Sequence, residues 1–122
     1  MTHLAEGELL TAIRIPGTFA GARFYFEKIA DRNVWDFPLV NVAAATVMSG
    51  TTIERMRIAV NGVAARPLRL VAVENAVRGR PRNAATATAV GDLAIQGAVP
   101  LHHNGYKVPL LRNLVRRAVW TS

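Results

Sequence analysis

Cysteine is absent from this sequence of 122 residues, which excludes disulfide bonds, zinc sites built from thiolates and catalysis by a thiol nucleophile. The sequence also lacks any apolar run near the roughly 20 residues that a membrane-spanning helix needs. Residues 1–8 have neither the basic start nor the apolar core of a signal peptide. Half of the residues are hydrophobic, which argues against disorder. We therefore expect a soluble, folded protein of the cytoplasm, whose reducing conditions agree with the missing cysteine.

The motifs that usually bind phosphates or perform hydrolysis are missing too. Neither GxGxxG nor the P-loop pattern occurs, and there is no nucleophile elbow and no Ser-His-Asp arrangement. His102 and His103 are adjacent, but no Cys, Asp or Glu follows Asp92, and a metal site needs several converging ligands. The histidine pair therefore indicates a solvated loop before the last helix. The sequence predicts no catalytic residue and no metal site.

Acidic residues are scarce, with eight of them against thirteen arginines and two lysines, and the net charge is +7. Arginine suits carboxylate and phosphate partners, because its planar guanidinium donates paired hydrogen bonds. The arginines form two clusters, which are Arg78, Arg80 and Arg82 in one turn and Arg112, Arg116 and Arg117 in the last predicted helix. Six of the eight aromatic residues precede residue 40, so neither cluster has a nearby platform for stacking bases. We do not expect nucleic acid as a partner; solvent or an acidic protein surface explains the clusters better.

Hydrophobic periodicity predicts strands first and helices after them. Apolar residues that alternate or run continuously predict four strands, at residues 8–16, 22–29, 39–48 and 53–60. In the first of these, Leu9, Thr11, Ile13 and Ile15 would face the core. Helical spacing predicts helices at residues 70–77, 83–96 and 104–119, with Asn83 and Asn104 as N-caps. The strands are too close in sequence for helical crossovers, so we expect a single α+β domain: a four-stranded antiparallel sheet with the helices on one face.

Charged residues and a tryptophan interrupt the apolar pattern between the second and third predicted strands. Lys28, Asp31, Arg32 and Asp36 gather here around Trp35. One interpretation is a salt-bridged turn that Trp35 anchors to the core. The other is a set of polar groups that a rigid scaffold holds towards a ligand bound mainly by something else. The spacing alone leaves both interpretations open and does not identify the ligand.

Four stretches occur in an order that resembles a known family. They are residues 8–16 (ELLTAIRIP), 27–40 (EKIADRNVWDFPLV), 58–64 (IAVNGVA) and 103–118 (HNGYKVPLLRNLVRRA). Together they resemble the C-terminal domain of the FAD-binding subunit of molybdenum hydroxylases, the group of xanthine dehydrogenase, carbon monoxide dehydrogenase and aldehyde oxidoreductase. The resemblance implies a three- or four-stranded antiparallel sheet followed by three helices, in agreement with the periodicity.

The resemblance also implies a function in electron transfer without a reaction of the domain's own. In such enzymes a molybdopterin subunit oxidises the substrate, iron-sulfur clusters carry the electrons, and FAD passes them to an acceptor. The resemblance implies that Lys28, Arg32 and Asp36, together with Trp35, are contacts to FAD. Cations there would favour reduced, anionic flavin, whereas a carboxylate would disfavour it.

The resemblance covers only the C-terminal domain, so residues 1–122 are expected to lack the N-terminal FAD-binding domain with its pyrophosphate loops. We therefore expect weak or no binding of FAD by this chain alone. An exposed apolar patch is expected where the FAD-binding domain docks, and such a patch would also favour self-association. The alternative function is that of a stand-alone binding or assembly module, which uses its arginine-rich surface for an acidic protein or a nucleotide.

Overall fold

The computed structural model describes residues 3–122. A 3-10 turn at Gly17–Phe19 precedes the first strand. The strands are β1 (Arg23–Ile29), β2 (Val40–Ser49), β3 (Thr52–Asn61) and β4 (Leu68–Arg69), and the helices are α1 (Val71–Val77), α2 (Ala84–Ala94) and α3 (Lys107–Thr121). The strands form one antiparallel sheet in the order β1-β2-β3-β4. The predicted α+β class, antiparallel sheet and three helices are therefore confirmed.

The core lies between one face of the sheet and the three helices. Residues of β2 and β3 alternate between buried and more exposed, so that Val42 of β2 and Ile58 of β3 point into the core. The helices α1, α2 and α3 cover this face with apolar side chains, among them Val73, Val90 and Leu114. None of the three helices described in residues 3–122 lies on the opposite face of the sheet, which is called the outer face below.

The predicted strand at residues 8–16 is wrong. The segment is irregular, and Leu9, Thr11, Ile13 and Ile15 are all exposed instead of facing the core. Alternating apolar residues indicate that one side of a segment needs to be covered by other parts of a protein. Within residues 3–122, however, no strand lies beside this segment. The fourth strand of the sheet is instead β4, and a strand of two residues is too short to show a hydrophobic period in the sequence.

Of the two predicted N-caps, that of α2 is observed and that of α3 is not. The Asn83 side chain accepts a hydrogen bond from the Thr86 N–H at 2.8 Å, as expected of an N-cap. The Asn104 side chain accepts from the Leu101 N–H at 2.6 Å and so closes a turn before α3, which has Tyr106 at its N-cap. The prediction of Asn104 as the cap of α3 is therefore wrong.

Helix α2 packs closely on α3 because its residue at the contact is a glycine. A Cβ on Gly91 would lie 2.4 Å from Cγ of Arg116 and 3.0 Å from the Arg112 carbonyl oxygen. The glycine weakens the helix locally, as the sequence suggests, but it allows the two backbones to approach. No helix among the described residues has the length and hydrophobicity to cross a membrane.

Candidate functional site

The loop between β1 and β2, residues 30–39, brings three of the four predicted site residues together. We call it the β1–β2 loop. Lys28 at the end of β1 donates from Nζ to the Asp36 carbonyl oxygen at 2.8 Å. Asp36 accepts a hydrogen bond from the Arg32 N–H at 2.9 Å, and its carboxylate lies 3.6 Å from the Arg32 guanidinium. At the base of the loop, the Leu39 N–H donates to the Ile29 carbonyl oxygen at 2.7 Å.

Asp36 holds this loop in shape. The hydrogen bond from the Arg32 N–H lowers the pKa of the Asp36 carboxyl, and the Phe37 and Asp31 N–H groups and the Arg32 side chain act in the same direction against the effect of burial. A carboxylate whose pKa is lowered stabilises the folded loop at neutral pH and loses that effect as the pH falls through the lowered value. Asp36 therefore acts inside the loop, whereas the Arg32 side chain remains mostly exposed.

Trp35 does not anchor the loop to the core. Its side chain is 96% exposed, and its backbone has a φ of +49°, a conformation that bulky residues rarely adopt. Val34 and Phe37 are exposed beside it. These three residues form an apolar tip, and together with Lys28 they line a shallow depression. The salt-bridged turn of the first interpretation is therefore present, through Arg32 and Asp36, but its anchoring by Trp35 is wrong, and the contact of the segment with a ligand stays a prediction.

We expect Trp35→Gly to change the free energy of unfolding by less than about 1 kcal/mol. The exposed ring contributes little packing, and the relief of the positive φ offsets the entropy that glycine adds to the unfolded chain. Urea denaturation of the two proteins checks this. Ile58→Gly in the core is the control, for which we expect a loss of about 3 kcal/mol or more. A comparable loss for Trp35→Gly would show that the ring supports the fold.

The outer face of the sheet adds to the exposed apolar surface beside the loop. Phe24 and Phe26 lie on the same face of β1 as Lys28 and are largely exposed. Opposite them on β2 stand Ala43 and Ala45, whose small side chains leave the rings uncovered. The apolar patch expected from the sequence is therefore present, and it meets the β1–β2 loop at Lys28.

The arginine clusters are partly neutralised within the chain. Arg112 pairs with Asp92, and Arg117 lies 2.9 Å from the Glu27 carboxylate. Arg82 donates to the Ser122 carbonyl oxygen at 2.6 Å. His102 and His103 are exposed in a turn, and among residues 3–122 no group of three or more metal-ligating side chains exists. These residues do not form a site with the β1–β2 loop.

Glu74 of α1, which no sequence pattern singled out, is the carboxylate with the most hydrogen bonds among residues 3–122. Its side chain is 2% exposed and accepts hydrogen bonds from Arg69 at 2.8 and 2.6 Å, from Arg57 at 3.0 Å and from the Ile58 N–H at 3.2 Å. The available signal was its position: residues 70, 73, 74 and 77 form one helical stripe, and only Glu74 in it is charged. This network joins α1 to the edge of the sheet, and its role is structural.

Comparison with known proteins identifies the domain. A family model described as the CO dehydrogenase flavoprotein C-terminal domain matches residues 25–121. The carbon monoxide dehydrogenase medium chain of Hydrogenophaga pseudoflava is 28% identical over 98% of this chain and 42% of its own length. The FAD-binding subunit of an aldehyde oxidoreductase of Escherichia coli is 32% identical over 91% of this chain and 31% of its own length.

Solved structures agree with these relatives. The carbon monoxide dehydrogenase of Hydrogenophaga pseudoflava that lacks the Mo-pyranopterin moiety superposes with a TM-score of 0.85 and 31% identity, over 98% of this chain and 42% of that one. A reconstituted CO dehydrogenase of Oligotropha carboxidovorans superposes with a TM-score of 0.80 and 26% identity, over 98% and 43%. The chain thus spans less than half the length of the relatives described here. By fold and sequence it belongs to the family of CO dehydrogenase flavoprotein C-terminal domains.

Proposed function

We propose that this chain is the C-terminal module of the flavin subunit of a molybdenum hydroxylase. In this role it covers FAD that is held mainly by an FAD-binding domain outside these 122 residues, and it performs no reaction alone. The single observation that carries the proposal is the family match over residues 25–121. The names of the relatives, a carbon monoxide dehydrogenase medium chain and an FAD-binding subunit, support the same assignment.

The residues of the β1–β2 loop fit one part of FAD and not another. Lys28 and Arg32 supply cations at an open surface, and Trp35 supplies an exposed ring, which together suit a planar group that carries negative charge when it is reduced. Within residues 3–122, no glycine-rich turn at a helix N-terminus offers a cradle for pyrophosphate. The module therefore contacts the flavin end of FAD and leaves the pyrophosphate to the FAD-binding domain.

Each predicted site residue has a distinct role in this proposal. Lys28 and Arg32 favour negative charge on the bound group, and the Trp35 ring excludes water from it. Asp36 is a positioning residue, because its hydrogen bond to the Arg32 N–H fixes the loop that presents the other three. FAD, when bound, supplies the redox chemistry by which these enzymes pass electrons to an acceptor.

The wider assembly follows from the same proposal. The partners are the FAD-binding domain, an iron-sulfur subunit and a molybdopterin subunit, which carry FAD, the iron-sulfur clusters and the molybdenum cofactor. A cytoplasmic location agrees with the absence of cysteine. The alternative, a stand-alone module for an acidic protein or a nucleotide, has less support, because Arg82, Arg112 and Arg117 already bond within the chain.

The test uses a chimera in which these 122 residues replace the matching part of the Hydrogenophaga pseudoflava medium chain. We expect the chimera to retain FAD and the free chain to bind none in a titration that follows flavin fluorescence. Arg32→Met in the chimera should weaken FAD binding by about tenfold, the loss expected for one hydrogen bond from a charged group. Arg78→Met, which removes an exposed arginine from the turn after α1, is the matched control and should leave FAD affinity unchanged. Tight binding of FAD by the free chain, or equal affinity in both variants, would contradict the proposal.

A further inference from the structure

The side chain of Lys107, the first residue of α3, connects three segments that are far apart in sequence. Its Nζ donates a hydrogen bond to the Gly62 carbonyl oxygen at 2.6 Å, across 45 residues of chain. Gly62 in turn lies against the backbone of Pro38 and Leu39, at the end of the β1–β2 loop. The three segments belong to three of the four stretches that carry the family resemblance, which are residues 27–40, 58–64 and 103–118. The bond from Lys107 therefore links α3 to the loop of the candidate site through Gly62.

The contact between Gly62 and the end of the loop is made by backbone atoms. A Cβ on Gly62 would lie 2.6 Å from the Leu39 carbonyl oxygen and 3.2 Å from that of Pro38, so a larger residue does not fit without displacing them. The Leu39 N–H closes the base of the loop by donating to the Ile29 carbonyl oxygen at 2.7 Å. The position of the Gly62 backbone thus limits where Leu39, and with it the base of the loop, can lie.

The backbone of α3 at Lys107 is itself held in place. The Asn104 side chain closes the preceding turn by accepting from the Leu101 N–H, and the Lys107 N–H donates to the Asn104 carbonyl oxygen at 3.0 Å. In the following turns of the helix, Leu111 and Leu114 are buried in the core. The Lys107 side chain therefore reaches Gly62 from a backbone that the preceding turn and the core fix.

Helix formation does not explain a lysine at position 107. The free N–H groups of the first turn give the N-terminus of a helix a partial positive charge, which makes a cation there unfavourable. The first turn of α3 contains no acidic residue that could offset this effect. The bond to Gly62 can offset it, because a charged donor forms a stronger hydrogen bond than a neutral one and this bond is partly buried.

From these contacts we propose that Lys107 is a positioning residue for the β1–β2 loop. By binding the Gly62 carbonyl oxygen, it holds the Gly62 backbone against Leu39 and so sets the direction in which the loop leaves the sheet. Lys28 and Asp36 fix the shape of the loop from within, whereas Lys107 fixes its position relative to the helices. This inference rests on the proposed function, because there the position of the loop decides its contact with the flavin end of FAD.

Hydrogen exchange of the free chain tests the role of Lys107 without FAD. The probe is the Leu39 N–H, which is bonded to Ile29 and should exchange through local opening of the loop, faster than amides in the middle of β2 and β3. Lys107→Met keeps an apolar stem and removes the donor. We expect it to accelerate exchange at Leu39 about tenfold, the change that corresponds to one hydrogen bond from a charged group. Lys107→Arg, which keeps a cationic donor, should preserve the slow exchange.

Two controls separate positioning from general stabilisation. Arg112→Met removes a cation from the same helix, where it bonds to Asp92 of α2 and not to the loop or its base. Glu74→Gln lowers the stability of the fold from α1. Neither should change exchange at Leu39, because local opening does not follow global stability. No acceleration in Lys107→Met, or an equal acceleration in Arg112→Met, would overturn the inference.

FAD binding by the chimera is the second measurement. Lys107→Met should weaken it about threefold to tenfold, as expected of a residue that acts through others, and Lys107→Arg should restore it. Faster exchange at Leu39 with unchanged FAD affinity would support the positioning of the loop and contradict its contact with FAD. Weaker FAD binding without faster exchange at Leu39 would overturn the inference and leave the proposed function standing.

Discussion

Replacing Glu74 by alanine is expected to lower the free energy of unfolding by about 2 to 3 kcal/mol, because it leaves the buried Ile58 N–H without a partner and removes hydrogen bonds from two arginines. Arg69 binds the carboxylate with two hydrogen bonds and Arg57 with a third. Both arginine side chains are about half exposed, so solvent would take up their charges and these would add little to the loss. Urea denaturation followed by circular dichroism measures the difference.

The position of Glu74 in α1, beside the end of β4, explains why the effect should be large. β4 ends at Arg69, and the Leu70 carbonyl oxygen is already the acceptor for the Glu74 N–H in the first turn of α1. The Ile58 N–H at the edge of β3 therefore has no strand acceptor, and the Glu74 carboxylate replaces it. Loss of the carboxylate leaves a buried N–H without a partner, which is costly in itself.

Glu54→Ala is the matched control. Glu54 pairs with the neighbouring Arg55, but half of its side chain is exposed, and such surface pairs contribute about 0 to 1 kcal/mol. If the two variants lost equal stability, the Glu74 network would be no more than a surface ion pair.

Lowering the pH should remove the stabilisation that the hydrogen bonds and ion pairs of Glu74 provide. Burial acts to raise the pKa of the Glu74 carboxyl, but the hydrogen bonds from Arg69 and from the Ile58 N–H, with the charges of Arg69 and Arg57, outweigh it, and the pKa is lowered. The stabilisation is then complete above the pKa of the unfolded chain and is lost as the pH falls through the lower folded value. Since Asp36 and Asp92 also have lowered pKa values, the difference between the parent chain and Glu74→Gln isolates the contribution of Glu74. We expect this difference to shrink on acidification below about pH 4.

The hydrophobic pattern of the sequence was sufficient to predict the strands and helices in which one period continues over many residues. β2, β3 and α3 each bury one side along ten or more residues, so a continuous apolar run located β2, alternation located β3 and helical spacing located α3. Lys28, Arg32 and Asp36 were also grouped correctly from the sequence, because all three lie in or next to one loop between two predicted strands. Their contact with FAD remains a prediction.

The remaining features depend on tertiary contacts that no local pattern contains. Residues 8–16 alternate like a strand, but among residues 3–122 no neighbouring strand pairs with them, and alternation alone cannot supply one. Trp35 would normally be buried because of its large apolar area, yet its left-handed backbone turns the ring outwards. Glu74 stands on an apolar stripe because two arginines reach it, Arg57 of β3 from 17 residues away and Arg69 of β4 from 5 residues away, and helical spacing alone indicates neither contact.

Gly62→Ala is expected to destabilise the fold by about 3 kcal/mol, for two separable reasons. Gly62 has a φ of +79°, which costs a residue with a Cβ about 1 to 2 kcal/mol. A Cβ there would also lie 2.6 Å from the Leu39 carbonyl oxygen, which is backbone and can yield only by moving the start of β2. Forced displacement of packed groups costs about 1 to 3 kcal/mol more.

Gly50→Ala separates these two contributions. Gly50 has a φ of +58°, but a Cβ there would meet nothing within 4 Å, so only the conformational cost of about 1 kcal/mol applies. Equal losses in the two variants would show that the contact with Leu39 contributes nothing. A larger loss for Gly62→Ala has a functional consequence, because Leu39 closes the β1–β2 loop through its bond to Ile29. In the chimera Gly62→Ala should then weaken FAD binding, whereas Gly50→Ala, in the tight turn between β2 and β3, should not.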